Sequence, residues 1–247
     1  MYSDFRPPRY NELPEVVKNL LIINGLFFIA TTSLNSYGID LVKWFGLHQL
    51  QSVNFKPHQL ISHLFMHGSF THLLFNMFAL WMFGKTLENV WGSKRFLTYY
   101  LITGLGAALV HLAYTQFQIH TLTSQLNSYD IDILLKEGMY ILDSGRNYSH
   151  STMGKLNLLI NTPTVGASGA VFGVLLAFGM LFPNALLYLY FAIPIKAKYF
   201  VIGYGVLELF AGLNNNPADN VAHFAHLGGM IFGFLIIKYW KKNNQFY

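Results

Sequence analysis

The chain contains no cysteine. That excludes disulfides, thiolate metal sites and a cysteine nucleophile, and it leaves the redox compartment unread. Charge is also scarce. Only 11% of the 247 residues are Asp, Glu, Lys or Arg, against roughly 25% in a soluble domain. A surface so poor in charge does not suit contact with water on all sides. What is there instead is apolar: 53% hydrophobic residues, 17% of all residues aromatic, and a mean hydropathy of +0.36. The class is therefore an all-α polytopic membrane protein, with the lipid bilayer as its first partner. The formal net charge of +5 is read as cations sorted by a membrane, so no nucleic-acid partner is expected.

Charge-poor runs predict six spans: Asn19–Ser36, Phe70–Leu87, Phe96–Phe117, Thr164–Asn184, Tyr199–Leu213 and Asn220–Trp240. No long hydrophilic linker separates two cores, so residues 19–240 read as one six-helix membrane domain. Residues 1–18 read as a cytoplasmic N-terminal segment and 241–247 as a cytoplasmic tail. The first apolar run follows a mixed-charge stretch without a clean cleavage pattern, and reads as a retained helix rather than a signal peptide. Residues 37–68 read as a loop with interfacial helices. Residues 118–162 read as a polar, irregular outer insertion with a short helix near Ile131–Met139. Leu186–Pro194 reads as an interfacial segment, and Tyr188, Tyr190 and Phe191 suit a membrane interface.

Loop cations set the orientation. With the N-terminus inside, eleven Lys and Arg fall on the inner side and five on the outer, a positive-inside bias. Even-numbered spans then run inward. Ser168, His72 with Asn76, and His223 with His226 all sit near the starts of such spans, at one depth. Polar groups in hydrocarbon are costly unless paired, and several at one level suggest a shared wet cavity. His72 and Asn76 are four apart and share a helical face. Gly229 and Gly233 follow His226 at i+3 and i+7, and Gly169 and Gly173 follow Ser168. Small residues on both helices let the fourth and sixth spans approach closely. The Ser168 hydroxyl then comes within hydrogen-bond reach of the His226 ring, as a serine–base pair requires.

Taken alone, a serine in a membrane helix more often bonds a carbonyl one turn back than acts as a nucleophile. The histidines at the same depth reverse that balance. His223 shares a face with His226, so either ring could be the base; the glycine register favours His226. The pattern G-A-S-G-A is not the G-x-S-x-G elbow of soluble hydrolases. His63-x3-His67 has metal-ligand spacing, but Leu64 stands where a zincin carries glutamate, so structural hydrogen bonding is the better reading and no metal is expected. Glu208 is unusual inside the fifth span; it reads either as a buried carboxylate facing a cavity or as a side chain reaching the outer headgroups, and no step in this chemistry calls for it.

Three stretches together resemble the rhomboid family of intramembrane proteases: Gly166-Ala-Ser168-Gly169, His226-Leu-Gly-Gly229-Met-Ile-Phe-Gly233, and His72-Leu-Leu-Phe-Asn76. His63, His67 and Gly84-x3-Glu88-x3-Gly92 with Phe96 support the match. The resemblance covers the six spans and implies a six-transmembrane-helix rhomboid-like bundle. It also implies a Ser168–His226 dyad without a third acid, and an oxyanion hole from His72, Asn76 and the Ser168 backbone N–H. No cofactor is implied. The activity implied is serine endopeptidase cleavage of single-span membrane proteins near their outer ends. The compact six-span form implies a bacterial plasma membrane. The outer loop 118–162 is longer than a minimal family core, and the first outer loop reads Val42-Lys43-Trp44-Phe45 where some members carry Trp-Arg. A catalytically silent relative that binds membrane segments, and a small-solute transporter, are the competing readings. Intact Ser168 and His226 count against the first, and the lack of paired broken helices against the second.

Overall fold

Pro14 precedes the first helix, where its missing N–H costs nothing. The computed structural model describes residues 13–189, 192–214 and 221–243. Residues 1–12 of the N-terminal segment, Tyr190, Phe191, the Asn220 start of the sixth predicted span and residues 244–247 of the tail lie outside these.

Helix α1 is Glu15–Asn35. Its first-turn N–H groups lack intrahelical partners, and Glu88 supplies them from a distance. Oε1 of Glu88 accepts from Val16 N–H at 2.9 Å and Oε2 from Val17 N–H at 2.8 Å. Ser93 Oγ donates to the same carboxylate at 2.7 Å. Short helices α2 (Leu41–Phe45) and α3 (Gln59–Ser62) follow, then a 3-10 turn at His63–Phe65. Ser69 caps α4 (Phe70–Ala79) by accepting from His72 N–H. The helix continues through a π-helical stretch, Leu80–Gly84, into α5 (Lys85–Trp91). Gly92 takes φ +77° at the sharp junction, a value that favours glycine. Helix α6 then runs from Ser93 to Thr123.

The insertion is more ordered than its composition suggests. It contains α7 (Ser128–Asp143) and α8 (Ser151–Asn161), where only one short helix is expected from the sequence. With Ile119 of α6, Leu134, Met153, Leu156 and Ile160 form a small core of their own. Asn157 ties the two helices by donating to the Gly138 carbonyl at 3.0 Å.

Helix α9 is Ser168–Leu181, and ten of its fourteen residues are buried, as expected of a helix apolar on every side. It is the central element, packed by α4, α6, the later helices α10 (Ala197–Asn214) and α11 (His223–Lys242), and the π stretch. Between α9 and α10 an antiparallel hairpin pairs β1 (Leu186–Leu189) with β2 (Ile193–Lys196). The expectation of a wholly helical chain is corrected here: the fold is mostly helical, and the Leu186–Pro194 segment is a hairpin.

By length and hydropathy, two of the described helices are each long and apolar enough to cross a membrane: α1 and α6. At 1.5 Å per residue α9 spans only about 21 Å, short of the ~30 Å hydrocarbon thickness. The predicted fourth span began four residues earlier, at Thr164. Those residues are held out of the helix by partners elsewhere. Thr164 forms an antiparallel bridge with Leu47, its Oγ1 lies 2.8 Å from Nε2 of His111, and Gly166 N–H donates to the His63 carbonyl at 2.9 Å.

Candidate active site

Unwinding at Thr164–Ala167 makes Ser168 the first residue of α9. Its backbone N–H is one of the orphan donors of a helix N-terminus, a place that favours a developing negative charge. His226 lies in the first turn of α11, and the two glycine faces bring the helices together. A β-carbon at Gly229 would collide with the Gly169 carbonyl, and one at Gly233 would lie 3.4 Å from Cα of Gly173. At this separation Nε2 of His226 is 2.8 Å from Oγ of Ser168.

The His226 ring is fixed on two further sides. Phe172, one turn after Ser168, stacks on its face with centroids 4.1 Å apart and planes 7° apart. Nδ1 lies 2.9 Å from Oε2 of Glu208 on α10. The same carboxylate oxygen is 2.7 Å from Nδ1 of His223. The ring that meets Ser168 is thus that of His226, while His223 meets Glu208. The resemblance implied a histidine without an acid partner; the structure gives it one.

His72 sits across the site. Gly166 has φ +126°, and a methyl placed on it would lie 2.7 Å from Nε2 of His72 and 3.7 Å from Oγ of Ser168. Imidazole and hydroxyl therefore face the same small space. His67 packs edge-on against His72 with centroids 5.0 Å apart, and burial pushes the His67 pKa down to about 4. Asn76 is buried on the same helix face but donates from Nδ2 to the His72 carbonyl at 3.0 Å. The structure thus brings Ser168, His226 and His72 together and ties the Asn76 amide to its own helix.

Glu208, His223 and His226 also place three potential metal-binding atoms within 4.8 Å of one another. Tetrahedral zinc with ligands at ~2.0–2.1 Å holds its donor atoms about 3.3 Å apart. The 2.7 and 2.9 Å separations are instead those of hydrogen bonds. His63 Nδ1 lies 2.8 Å from the Gln59 carbonyl, the structural bonding expected of the His63–His67 pair, whereas neither ring nitrogen of His67 makes such a bond among the described residues.

The rhomboid domain model matches residues 54–242. The chain belongs to the rhomboid family. Among its relatives, the mitochondrial RHOMBOID-like protein 12 of Arabidopsis thaliana is 28% identical over 218 residues, 87% of this chain and 55% of that protein. Rhomboid protein 1, mitochondrial, of Saccharomyces cerevisiae is 28% identical over 190 residues, 75% of this chain and 44% of that protein. The rhomboid protease AarA of Providencia stuartii is 29% identical over 177 residues, 70% of this chain and 52% of that protein. The chain spans about half the length of these curated relatives.

This rhomboid carries three site residues that sequence reasoning gave no role: Phe172, His111 and Glu208. A signal existed for two of them. Phe172 is four residues from Ser168 and so shares its face. A carboxylate in an apolar helix is by default a functional group with a partner. His111 gave none, since its partner Thr164 is set by tertiary packing.

Proposed function

We propose that this rhomboid is a serine endopeptidase acting within the membrane, cutting transmembrane segments of single-span proteins near their outer ends. The observation that carries the reading is the 2.8 Å contact between Nε2 of His226 and Oγ of Ser168. It is the geometry of a nucleophile beside its base. Ser168 attacks the scissile carbonyl as its proton passes to His226. The tetrahedral oxyanion forms beside the Ser168 backbone N–H and the His72 ring, where each donor contributes about 3–4 kcal/mol. Asn76 joins them through its second amide hydrogen. His226 then protonates the leaving amine, and water releases the acyl group.

The bundle has six spans in this reading, with α4–α5, α9, α10 and α11 completing the set that α1 and α6 begin. Ile22, Leu26 and Ile29 of α1 and Tyr199, Ile202, Leu207 and Phe210 of α10 are exposed, which suits a lipid-facing surface. Irregular backbone at Thr164–Ala167 is half-buried at Thr164 and Val165 and buried at Gly166 and Ala167, and its bonds go to protein partners, the condition under which it is tolerated at membrane depth. The membrane is a bacterial plasma membrane, with both termini cytoplasmic and the site opening outward.

Cleavage of a panel of one-span reporters, with cut sites read by mass spectrometry, tests the activity. Ser168→Ala and His226→Ala abolish cleavage while the protein stays folded in the membrane, and Ser168→Ala also erases labelling by a fluorophosphonate. Undiminished cleavage by either variant overturns the assignment. A wild-type protein that neither cleaves nor labels is the silent segment-binding relative.

A further inference from the structure

Glu208 is buried, 7% exposed, on a helix whose neighbouring side chains Leu207 and Leu209 face outward. A lone carboxylate there is expensive unless it is paired. Two imidazoles pair it, and one of them belongs to the proposed catalytic pair. We propose that Glu208 is the positioning residue of this site, holding His226 with its hydrogen on Nδ1 so that a bare Nε2 faces Ser168. The proposal rests on the assignment of Ser168 and His226 as nucleophile and base.

An ionised carboxylate only accepts hydrogen bonds. Both rings touch Oε2 of Glu208 through Nδ1, at 2.9 Å for His226 and 2.7 Å for His223. Each Nδ1 is therefore the donor. A neutral imidazole has one N–H, so Nε2 of His226 carries a lone pair, and that is the atom 2.8 Å from Oγ of Ser168. The other tautomer would set a lone pair against the carboxylate and leave no base at the serine. Phe172 lies flat on the ring and keeps it in the plane that both contacts need.

The charge balance is simple. As the Oγ–carbon bond forms, the Oγ–H bond breaks and its proton moves to Nε2. The imidazolium then has N–H at both positions, and its charge faces Glu208. The proton leaves on the departing amine nitrogen, and Glu208 stays ionised throughout. His223 supplies the second N–H that keeps a charged carboxylate tolerable in this place. Among the described residues, His72 from α4 and His111 from α6 also lie near enough to His226 to feel its charge. Neither is a carboxylate, so neither can replace Glu208.

The test is made on the whole protein in detergent. Nitrogen-15 NMR of histidine-labelled wild type, with the His226 signals assigned by their loss in His226→Ala, shows hydrogen on Nδ1 and a bare Nε2 at neutral pH. Glu208→Gln keeps the shape and removes the charge; it lowers kcat by about ten- to a hundredfold with KM within about twofold. A hydrogen on Nε2 in the wild type overturns the proposal, and this measurement stands even where Glu208→Gln does not fold. Full kcat in Glu208→Gln beside an inactive Ser168→Ala overturns it too, and leaves the serine–histidine assignment intact. Full activity in Ser168→Ala sinks both.

Discussion

Gly166 shows how a single missing methyl shapes the site. Its φ of +126° lies where side chains are strained, and an added β-carbon would press on Cε1 and Nε2 of His72. Gly166→Ala therefore costs about 1–3 kcal/mol of stability and displaces the imidazole. The expected outcome is a fall of about tenfold or more in fluorophosphonate labelling rate, in protein that is still folded. Labelling at the wild-type rate would mean that His72 is not held where Gly166 places it. At this scale much was legible. The glycine register after Ser168 and after His226 pointed to a close approach, and the structure shows that approach. Glu208 was visible as an oddity but had no role, because its partnership depends on how α10 sits against α11, which no spacing within one helix encodes. Asn76 was read onto the right face, yet a face does not reveal that the amide bonds to the carbonyl one turn back.

Between residue and whole chain, the elements are tied by buried polar contacts. Glu88 is 2% exposed and caps α1 from α5. Glu88→Ala leaves two backbone N–H groups without their acceptor and lowers stability by about 2–3 kcal/mol, read as a lower midpoint in thermal unfolding. The loop ahead of α4 adds a pH dependence. Burial holds both His63 and His67 at a pKa of about 4 in the fold, against about 6.5 unfolded. The unfolded chain binds more protons between these values, so stability is full above pH 6.5 and is lost as pH falls toward 4. Each ring accounts for about 2 kcal/mol of that loss at pH 5. His67→Phe should lose less of its unfolding midpoint between pH 7 and pH 5 than the wild type; an equal loss would acquit His67. Each predicted span coincides with helix, but α8 in the insertion was not legible, and neither were helix ends. Thr164–Ala167 is as free of charge as the helix that follows, and partners remote in sequence, Leu47, His63 and His111, hold it out of the helix. The hairpin hid inside an apolar run for the same reason: Leu186 pairs with Lys196 across a turn, and composition does not report pairing.

At the scale of the molecule, the ends sort into two groups. Glu88 joins the start of α1 to α5, and Trp91 at the end of α5 meets Trp240 near the end of α11, with ring centroids 5.3 Å apart. His72, Ser168 and His226 stand at or near the starts of α4, α9 and α11, one helix length away. One group is thus the end that carries Lys94, Arg95, Lys241 and Lys242, and the other carries the site and the insertion. Under the proposed orientation, the positive-inside rule puts the cation-rich end in the cytoplasm. A chain without cysteine allows a direct check, because any cysteine introduced is the only one. Single substitutions Ser36→Cys and Ser144→Cys, both at exposed positions, react with a membrane-impermeant maleimide on intact cells. Lys94→Cys and Lys196→Cys, also exposed, react only after the membrane is opened. The reverse pattern would put the site on the cytoplasmic face. All four reacting from outside would mean that the bundle does not divide two compartments at all.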